Sequence, residues 1–453
     1  MQQTAREHGI LGSFLSPLFA SRRSRGRRIA AGLAVGALLA LAVPAIAAAA
    51  DAPPGEGAAP AASPEATGPS VTMPAPPPPP PEKPTFDPKV GVGAWVRFGG
   101  RIENPSDPNR LNGFFLDTLY LVASLRGQFT PWLKWQASLA AQHYTQPGDV
   151  SRDAELVIPQ AGLQDLIVKF EPHDLFNIWA GKMVLPLDRA NLSGPWFMNF
   201  WLIRGAFPRS GAMTPAPYGI KSGPYGREQG VTAWGQVMEG KFKYYAGAWE
   251  LDVQSQNAHP MYAGRLCLNL LDPEPGYFNQ SAYHGEKDIL AIGAGGQYQK
   301  GGSITVIPAP NAALEIGDLK VVEFDALLDK KVGGHVVTAE VDGYFTDKFQ
   351  PVNRLYLFSL GYVSPMVGPG RIAPAVRLQI ATVPAVMSAQ NPTGREIGLD
   401  REFRQIDVNF QYLLKSHFAK IMLGGFSTQT RLKSDGSTIN AKGIQVGVQL
   451  IQM

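Results

Sequence analysis

From residue 89 onward the chain is built of segments in which polar and apolar residues alternate, and this period of two restricts the fold more than any other feature. In the segment 405–412, Ile406, Val408 and Phe410 alternate with glutamine, aspartate and asparagine. Successive side chains of a β-strand point to opposite faces, so each such segment predicts a strand with one apolar and one polar face. The same region holds no convincing helical period and no apolar run long enough for a membrane helix. The sequence therefore predicts an all-β fold.

The number of strands and the lengths of their connections distinguish a membrane barrel from a soluble β-sandwich, which also alternates. Sixteen strands are predicted, near 89–98, 113–128, 132–144, 162–171, 174–184, 228–238, 241–251, 261–270, 287–299, 318–328, 334–345, 353–363, 371–382, 402–414, 417–430 and 438–452. Connections after even-numbered strands are mostly tight, as at Thr130-Pro131, whereas those after odd-numbered strands are mostly longer. The connection 271–286 is the exception, because it is long where a short turn is expected. This pattern predicts a transmembrane antiparallel β-barrel of about 16 strands, with both chain ends on the short-turn side in the periplasm.

Residues 1–50 have the layout of a secretory signal peptide. Five arginines within 22–28 precede an apolar stretch at 29–43, and alanines near residue 50 supply a cleavage site. An uncleaved inner-membrane anchor is the alternative, because the apolar stretch is nearly long enough to span a bilayer. The only cysteine, Cys267, has no partner in the chain and agrees with export that does not depend on disulfides.

Residues 51–88 form a separate segment rich in proline and alanine, with an unbroken run of prolines at 76–81. Such a composition cannot bury a core, so it predicts an extended periplasmic linker ahead of a barrel at 89–453. The chain holds 41 basic and 37 acidic residues; the first fifty hold six and one of these, which leaves 35 and 36. The exported part is nearly neutral, and its charge does not predict a nucleic-acid partner.

The third connection after an odd-numbered strand, 185–227, is the longest of its kind, and a loop of this size in a compact fold needs a function. A sixteen-stranded barrel encloses a water-filled channel, so this external loop is predicted to fold inward as a constriction. Its apolar run 195–203 is expected to pack against the wall or a neighbouring subunit, with a sugar-stacking strip as the alternative. The loop has one aspartate and five basic residues, namely Arg189, Arg204, Arg209, Lys221 and Arg227.

Charged residues on the polar faces of the predicted strands are candidates for the channel wall. The basic candidates are Arg97, Arg126, Lys134, Lys169, Lys182, Lys241, Lys243, Arg265, Arg371 and Arg377. The acidic candidates are Asp165, Glu323, Asp325, Glu340, Asp342 and Asp407. Opposed charge clusters set up a field across a narrow aqueous channel, and an excess of positive charge favours anions. For any single residue the alternative is a solvated wall charge, because every water-filled lumen carries polar groups.

Three groups of residues within 163–270 form a pattern typical of one protein family. They are Asp165 among alternating apolar residues, Gly181-Lys182-Met183-Val184-Leu185-Pro186-Leu187-Asp188-Arg189, and Arg227-Glu228-Gln229-Gly230-Val231 followed by Gly235, Gly240-Lys241, Tyr245 and Gly247. In this order they resemble the phosphate-selective porin O and P family of outer-membrane channels. The resemblance implies a sixteen-stranded, trimeric barrel with the third loop as its constriction. The basic residues that select phosphate in the family's namesakes do not align residue by residue, so phosphate specificity is not implied.

Together these features predict an outer-membrane diffusion channel, or porin, for small hydrophilic solutes with a weak preference for anions such as phosphate. The expected partners are outer-membrane lipid, the barrel-assembly machinery, further copies of the chain in a homotrimer, and small anionic or neutral solutes. No nucleophile turn, metal-binding motif or phosphate-cradling loop accompanies the six histidines beyond residue 50. The sequence therefore predicts neither catalysis nor a cofactor or metal. A barrel enzyme and a structural or binding protein of the cell envelope remain the alternatives.

Overall fold

The computed structural model describes nine stretches of the chain, all within the unit Pro79–Met453. They are residues 89–106, 113–144, 160–201, 227–250, 259–307, 313–346, 354–383, 401–433 and 436–452. The predicted signal peptide at 1–50 and the predicted linker at 51–88 lie outside these stretches. Arg204, Arg209 and Lys221 of the third loop also lie outside them, so their roles stay predictions.

Within the described stretches, sixteen antiparallel strands form one closed sheet, which confirms the predicted barrel. The strands are β1 Lys89–Pro105, β2 Gly113–Thr130, β3 Leu133–Tyr144, β4 Gln160–His173, β5 Phe176–Val184, β6 Arg227–Val237, β7 Phe242–Glu250, β8 Met261–Asn269, β9 Ile289–Ile307, β10 Ala313–Val332, β11 His335–Thr346, β12 Arg354–Val363, β13 Gly370–Val383, β14 Arg401–Lys415, β15 Ala419–Leu432 and β16 Thr438–Gln452. Each strand pairs with its neighbours in the sequence, and β1 closes the ring by pairing with β16, for example Ala94 with Gln452. A two-residue extended segment, Met366–Val367, lies in the turn before β13 and adds no strand to the ring.

Within the residues that the structure describes, two short helical segments lie in the connections between strands. The helix α1, Arg189–Ser193, follows β5, and a 3-10 helix, Met238–Gly240, forms the turn between β6 and β7. Among the described residues, no helix is both long and apolar enough to cross a bilayer. The pair β9 and β10 is longer than predicted, because backbone pairing continues past the alternating region through a register shift between Gly317 and Leu319. Backbone hydrogen bonds extend a ladder without requiring an apolar face.

The apolar face of the sheet is exposed and its polar face is buried, which is the reverse of the burial in a soluble protein. On β14, Ile406, Val408 and Phe410 are 49%, 40% and 53% exposed, whereas Gln405 and Asp407 between them are fully buried. In a soluble β-sandwich the apolar face would form the core and the polar face would meet water. An apolar outer face around a polar interior is the arrangement of a barrel that stands in lipid. The soluble alternative is therefore wrong.

The position of Val408, midway along β14 and on the outer face, predicts a large cost for a charge. Val408→Arg is expected to destabilise the barrel by about 2–4 kcal/mol, because a charge near the bilayer midplane loses its hydration. Leu414→Arg is the control on the same face beside the next turn, and it should cost roughly 0–1 kcal/mol. Urea unfolding of the variants refolded in lipid vesicles measures both free energies. Equal costs at the two positions would contradict a membrane-spanning β14.

Candidate functional site

The described part of the third loop, 185–201, lies against the polar face of the barrel wall and is mostly buried. Its backbone carbonyls belong to no sheet ladder, so they need donors from elsewhere. Side chains of β1, β14, β15 and β16 supply them. These bonds run from Arg97 to Pro195 O at 2.8 Å and Trp201 O at 2.7 Å, from Lys420 to Met198 O at 3.0 Å, from Gln411 to Asn199 O at 2.5 Å and from Gln449 to Trp196 O at 2.9 Å.

The apolar run of this loop packs onto space that the wall leaves for it. Trp196 stacks on Tyr120 with ring centroids 4.9 Å apart. Trp201 lies over Gly99 and Gly447, which are register partners on β1 and β16. A Cβ atom at either glycine would overlap the indole ring. These contacts agree with the packing role expected for the run.

The connection between β8 and β9, 270–288, is the long exception in the turn pattern, and it also packs against the polar face of the wall. Lys243 of β7 donates to two backbone carbonyls of the connection and to the Asn279 side chain at 3.0–3.4 Å. The backbone N–H of Tyr283 donates to Asp329 of β10 at 3.0 Å. This connection, called the β8–β9 segment below, is therefore an ordered part of the barrel interior.

A buried ion pair joins the third loop to the β8–β9 segment. The Arg189 guanidinium contacts both carboxylate oxygens of Glu274, with Nη1–Oε1 at 2.7 Å and Nη2–Oε2 at 2.8 Å. Glu274 also accepts hydrogen bonds from Asn279 at 2.9 Å and from Tyr283. Burial by itself raises the pKa of Glu274, but the charge and hydrogen bonds of Arg189 outweigh burial and lower the pKa to about 2. The carboxylate therefore stays ionised at neutral pH.

A second buried cluster ties the start of the third loop to the wall. Arg265 of β8 donates to Glu323 at 3.1 Å and to Asp325 at 2.9 Å, and it also donates to Leu187 O at 3.3 Å. A Cβ at Gly293 on the neighbouring strand would overlap this guanidinium, so the glycine makes room for it. Buried charges need partners of this kind. The charged groups of this cluster bind one another in buried surroundings, so they are not accessible to a solute.

An open cavity of ≈ 860 Å³ remains between β1–β4 and the two connections. Its described lining contains six basic side chains and four acidic ones. The basic residues are Lys89, Arg126, Lys134, Lys169, Arg227 and Lys287, and the acidic residues are Asp165, Glu171, Glu274 and Glu286. Because Glu274 is already paired with Arg189, the positive excess around the open space is larger than the count alone indicates.

Three of these basic residues, Arg126, Lys134 and Lys169, lie together on β2, β3 and β4 and are called the wall cations below. Lys134 and Lys169 are register partners on adjacent strands. Lys134 contacts Glu171 at 2.8 Å, and Lys169 donates to Gln136 at 2.8 Å. Arg126 is exposed, and it forms no ion pair within the part of the chain that the structure describes. Among the contacts just described, the only carboxylate paired with the three wall cations is that of Glu171.

Most other predicted wall residues take part in structural contacts on the inner face. Arg377 of β13 contacts Asp407 at 2.8 Å and covers the Phe200 ring at 4.5 Å. Lys241 lies in the turn before β7, where its backbone N–H donates to Met238 O. Among the predicted wall residues, those with buried side chains on the inner face are Arg97, Asp165, Lys243, Arg265, Glu323, Asp325, Glu340, Asp342, Arg377 and Asp407.

The structure corrects the predicted position of Lys182. It pairs with Leu166, which is exposed on the outer face of β4, and its Nζ donates to Leu163 O at 2.9 Å. Alternation requires this, because the neighbouring Met183 is buried on the inner face. Lys182 therefore does not line the lumen.

Two of the basic residues predicted for the constriction, Arg189 and Arg227, lie in the described stretches, and both form ion pairs. Arg189 is fully buried between Glu274 and Asp325. Arg227, at the start of β6, contacts Asp165 at 3.0 Å. Both charges are compensated locally, because a desolvated guanidinium requires a carboxylate close by.

The sequence did not single out the residues of the β8–β9 segment that hold this interior together, which include Glu274, Tyr277 and His284. Tyr277 stacks on Trp179 of β5 with ring centroids 4.3 Å apart. The available signal was a long connection with three aromatic residues at a position where a short polar turn was expected. Within the described residues, no group of three or more histidine, cysteine, aspartate or glutamate side chains is arranged to hold a metal ion.

A closed antiparallel barrel with an apolar exterior and a polar interior defines the chain as an outer-membrane β-barrel protein. No protein-family model matches the sequence, and no curated protein matches it. Among solved structures, the chain is similar to OprB of Pseudomonas putida, with a TM-score of 0.54, 8% identity, and coverage of 81% of this chain and 94% of that one. It is also similar to an anion-selective porin from Comamonas acidovorans, with a TM-score of 0.48, 13% identity, and coverage of 80% and 100%. At these identities the similarity concerns the fold.

Two histidines connect the β8–β9 segment to the third loop and to a turn of the wall. The rings of His284 and His417 stack with centroids 4.1 Å apart. His284 Nε2 bonds the Asn199 side chain at 2.9 Å, and His417 Nε2 donates to Ala282 O at 2.8 Å. With Nε2 donating, the other nitrogen of a neutral His417 accepts a hydrogen bond from Lys420 Nζ at 3.2 Å. The geometry fits a neutral His417.

The histidine pair predicts a loss of stability in acid. Burial, together with the nearby positive groups Lys420 and Arg371, lowers the pKa of His284 well below its usual value, and burial, His284 and Lys420 do the same for His417. The unfolded chain binds these protons below about pH 6.5, whereas the folded site resists them. Each histidine should therefore remove up to about 1.4 kcal/mol of stability per pH unit below that value.

Urea unfolding in lipid vesicles between pH 7.5 and 4.5 measures this slope. His417→Gln is expected to flatten it, because the group that resists protonation is removed. His173→Gln is the matched control, since His173 is exposed at the end of β4. Equal slopes for wild type and the His417 variant would contradict the prediction.

Proposed function

We propose that this protein is a diffusion porin of the outer membrane that passes small hydrophilic solutes and weakly prefers anions such as phosphate. The observation that carries the proposal is the group of wall cations beside the open cavity. Lys134 and Lys169 stand directly opposite each other on neighbouring strands. Like charges in this position repel, and an anion in the cavity beside the two lysines relieves the repulsion.

The expected strength of the preference follows from the screening of these charges. Two unit charges a few ångströms apart interact by about 1 kcal/mol in bulk water and by about 4 kcal/mol near a protein surface. The wall cations border an open, solvated cavity and are partly offset by Glu171. A bias of several-fold in ion entry is therefore expected, and absolute selectivity is not.

Arg126→Glu tests the role of the wall cations. Arg126 is exposed and forms no ion pair within the described stretches, so its replacement should change the lumen charge without breaking a buried contact. The reversal potential in a salt gradient across a planar bilayer should shift toward cation preference. The shift should shrink at high salt, because screening shortens the range of exposed charges.

Lys182→Glu is the matched control for this measurement. It makes the same change of charge on the outer face of β5, so the reversal potential should stay that of the wild type. An Arg126 variant that inserts normally and also keeps the wild-type reversal potential would show that the wall cations do not select ions.

Arg204 and Arg209 of the third loop belong to the same proposal as cations of the constriction. Arg189 is omitted from their test because it is buried in an ion pair. Arg204→Glu combined with Arg209→Glu should shift the reversal potential in the same direction as Arg126→Glu. If the double variant inserts normally and leaves that potential unchanged, the anion preference resides on the wall strands alone.

The proposal includes assembly as a homotrimer, insertion by the barrel-assembly machinery, and an exported chain whose segment 51–88 is a periplasmic linker. The competing functions are a barrel enzyme and a structural or binding protein of the envelope. Planar-bilayer recording separates them, because only a porin gives stepwise ohmic conductance when purified protein is added. Chemical cross-linking in detergent gives the number of subunits.

A further inference from the structure

The two connections that pack inside the barrel start from opposite rims. In an antiparallel barrel all connections after odd-numbered strands lie on one rim, and all connections after even-numbered strands lie on the other. The third loop follows β5, whereas the β8–β9 segment follows β8. Because both ends of the latter are on the short-turn rim, it reaches the third loop from the periplasmic side.

The two connections meet at several points besides the ion pair. Arg189 Nη1 donates to Gln280 O at 2.7 Å, and the hydroxyls of Ser193 and Ser281 are 3.1 Å apart. The backbone N–H of Ser281 also donates to Phe197 O at 3.0 Å. The helix α1 and the residues after it therefore rest on the β8–β9 segment as well as on the wall.

Glu274 has a special position among these contacts. It provides both oxygens to Arg189, and no strand ladder passes through either residue. Breaking one partner of a buried ion pair is costly because the other charge stays desolvated. Without the Glu274 charge, the Arg189 guanidinium keeps a contact to Asp325 at 3.7 Å and gains by moving toward the aqueous cavity. The barrel wall itself would remain paired.

We infer that the constriction of this channel is a two-part clip, formed by residues 185–201 of the third loop and by the β8–β9 segment, and that Glu274 sets its aperture by holding Arg189. The inference rests on the proposed porin function. The segments 191–194 and 274–280 both border the open cavity, so a displacement of either changes its width. Glu274 is a positioning residue, because it acts through Arg189 and not by contact with the solute.

Glu274→Gln is the first test, since the amide keeps the size of the side chain and removes its charge. Single-channel conductance should increase, with more frequent current fluctuations, because α1 is no longer held. Glu286→Gln is the matched control. Glu286 lies in the same connection, also borders the cavity and loses the same charge, but its side chain is exposed and, among the described residues, forms no ion pair with the third loop. Its conductance should equal that of the wild type.

A reversible cross-link separates loss of the clip from misfolding. The short Ser193–Ser281 distance suits a disulfide, so Ser193→Cys and Ser281→Cys are combined with Glu274→Gln in a Cys267→Ala background. Oxidation should restore the conductance of the Cys267→Ala parent, and reduction should raise it again. Heat-modifiable gel migration verifies that each variant forms a barrel.

The outcomes distinguish this inference from the porin proposal. A wild-type protein that inserts but does not conduct overturns the proposed function. A conducting wild type whose Glu274→Gln variant has the same conductance overturns the clip. A changed conductance that the cross-link does not reverse also overturns it, because the change then arises elsewhere in the barrel.

Discussion

Every backbone N–H and C=O in the hydrocarbon of a bilayer must find its partner inside the protein, because lipid tails offer none. The pairing of β1 with β16 meets this requirement, since it closes the ladder and leaves no edge strand. Closure also separates two environments. Side chains such as Val408 and Phe410 face lipid, whereas Asp407 and Asn409 between them face an interior that tolerates polar groups. The described part of the third loop and the β8–β9 segment pack in that interior.

The same requirement for hydrogen-bond partners governs the irregular segments inside the barrel. The described part of the third loop, 185–201, belongs to no ladder, and several of its carbonyls accept hydrogen bonds from Arg97, Lys420 and Gln449 of the wall. The β8–β9 segment is held in a comparable way by Lys243. Long polar side chains on the inner face therefore donate hydrogen bonds to backbone carbonyls that would otherwise have no partner. Their donors face protein and not solute.

This use of charge explains why a wall rich in ionisable residues is compatible with only a weak ion preference. Arg189, Arg265 and Arg377 all have carboxylate partners in buried surroundings, so their fields are cancelled at close range. The wall cations differ because they border open space with fewer partners. Under the proposed function, ion preference depends on this small uncompensated group, and the shape of the passage depends on the compensated pairs.

The sequence by itself determined the sixteen strands and the membrane-facing side, because a period of two and the turn lengths are local and each strand repeats them. It placed Lys134 and Lys169 on the polar face for the same reason. It placed Lys182, which follows Gly181, on the wrong face of β5, because a shift of one residue in the alternation moves every side chain to the other face. Only the tertiary structure decided that Arg189 pairs with Glu274, 85 residues away, and that the β8–β9 segment packs inside the barrel. No local period records a contact between two connections that start from opposite rims, so such contacts emerge only when the ring is closed.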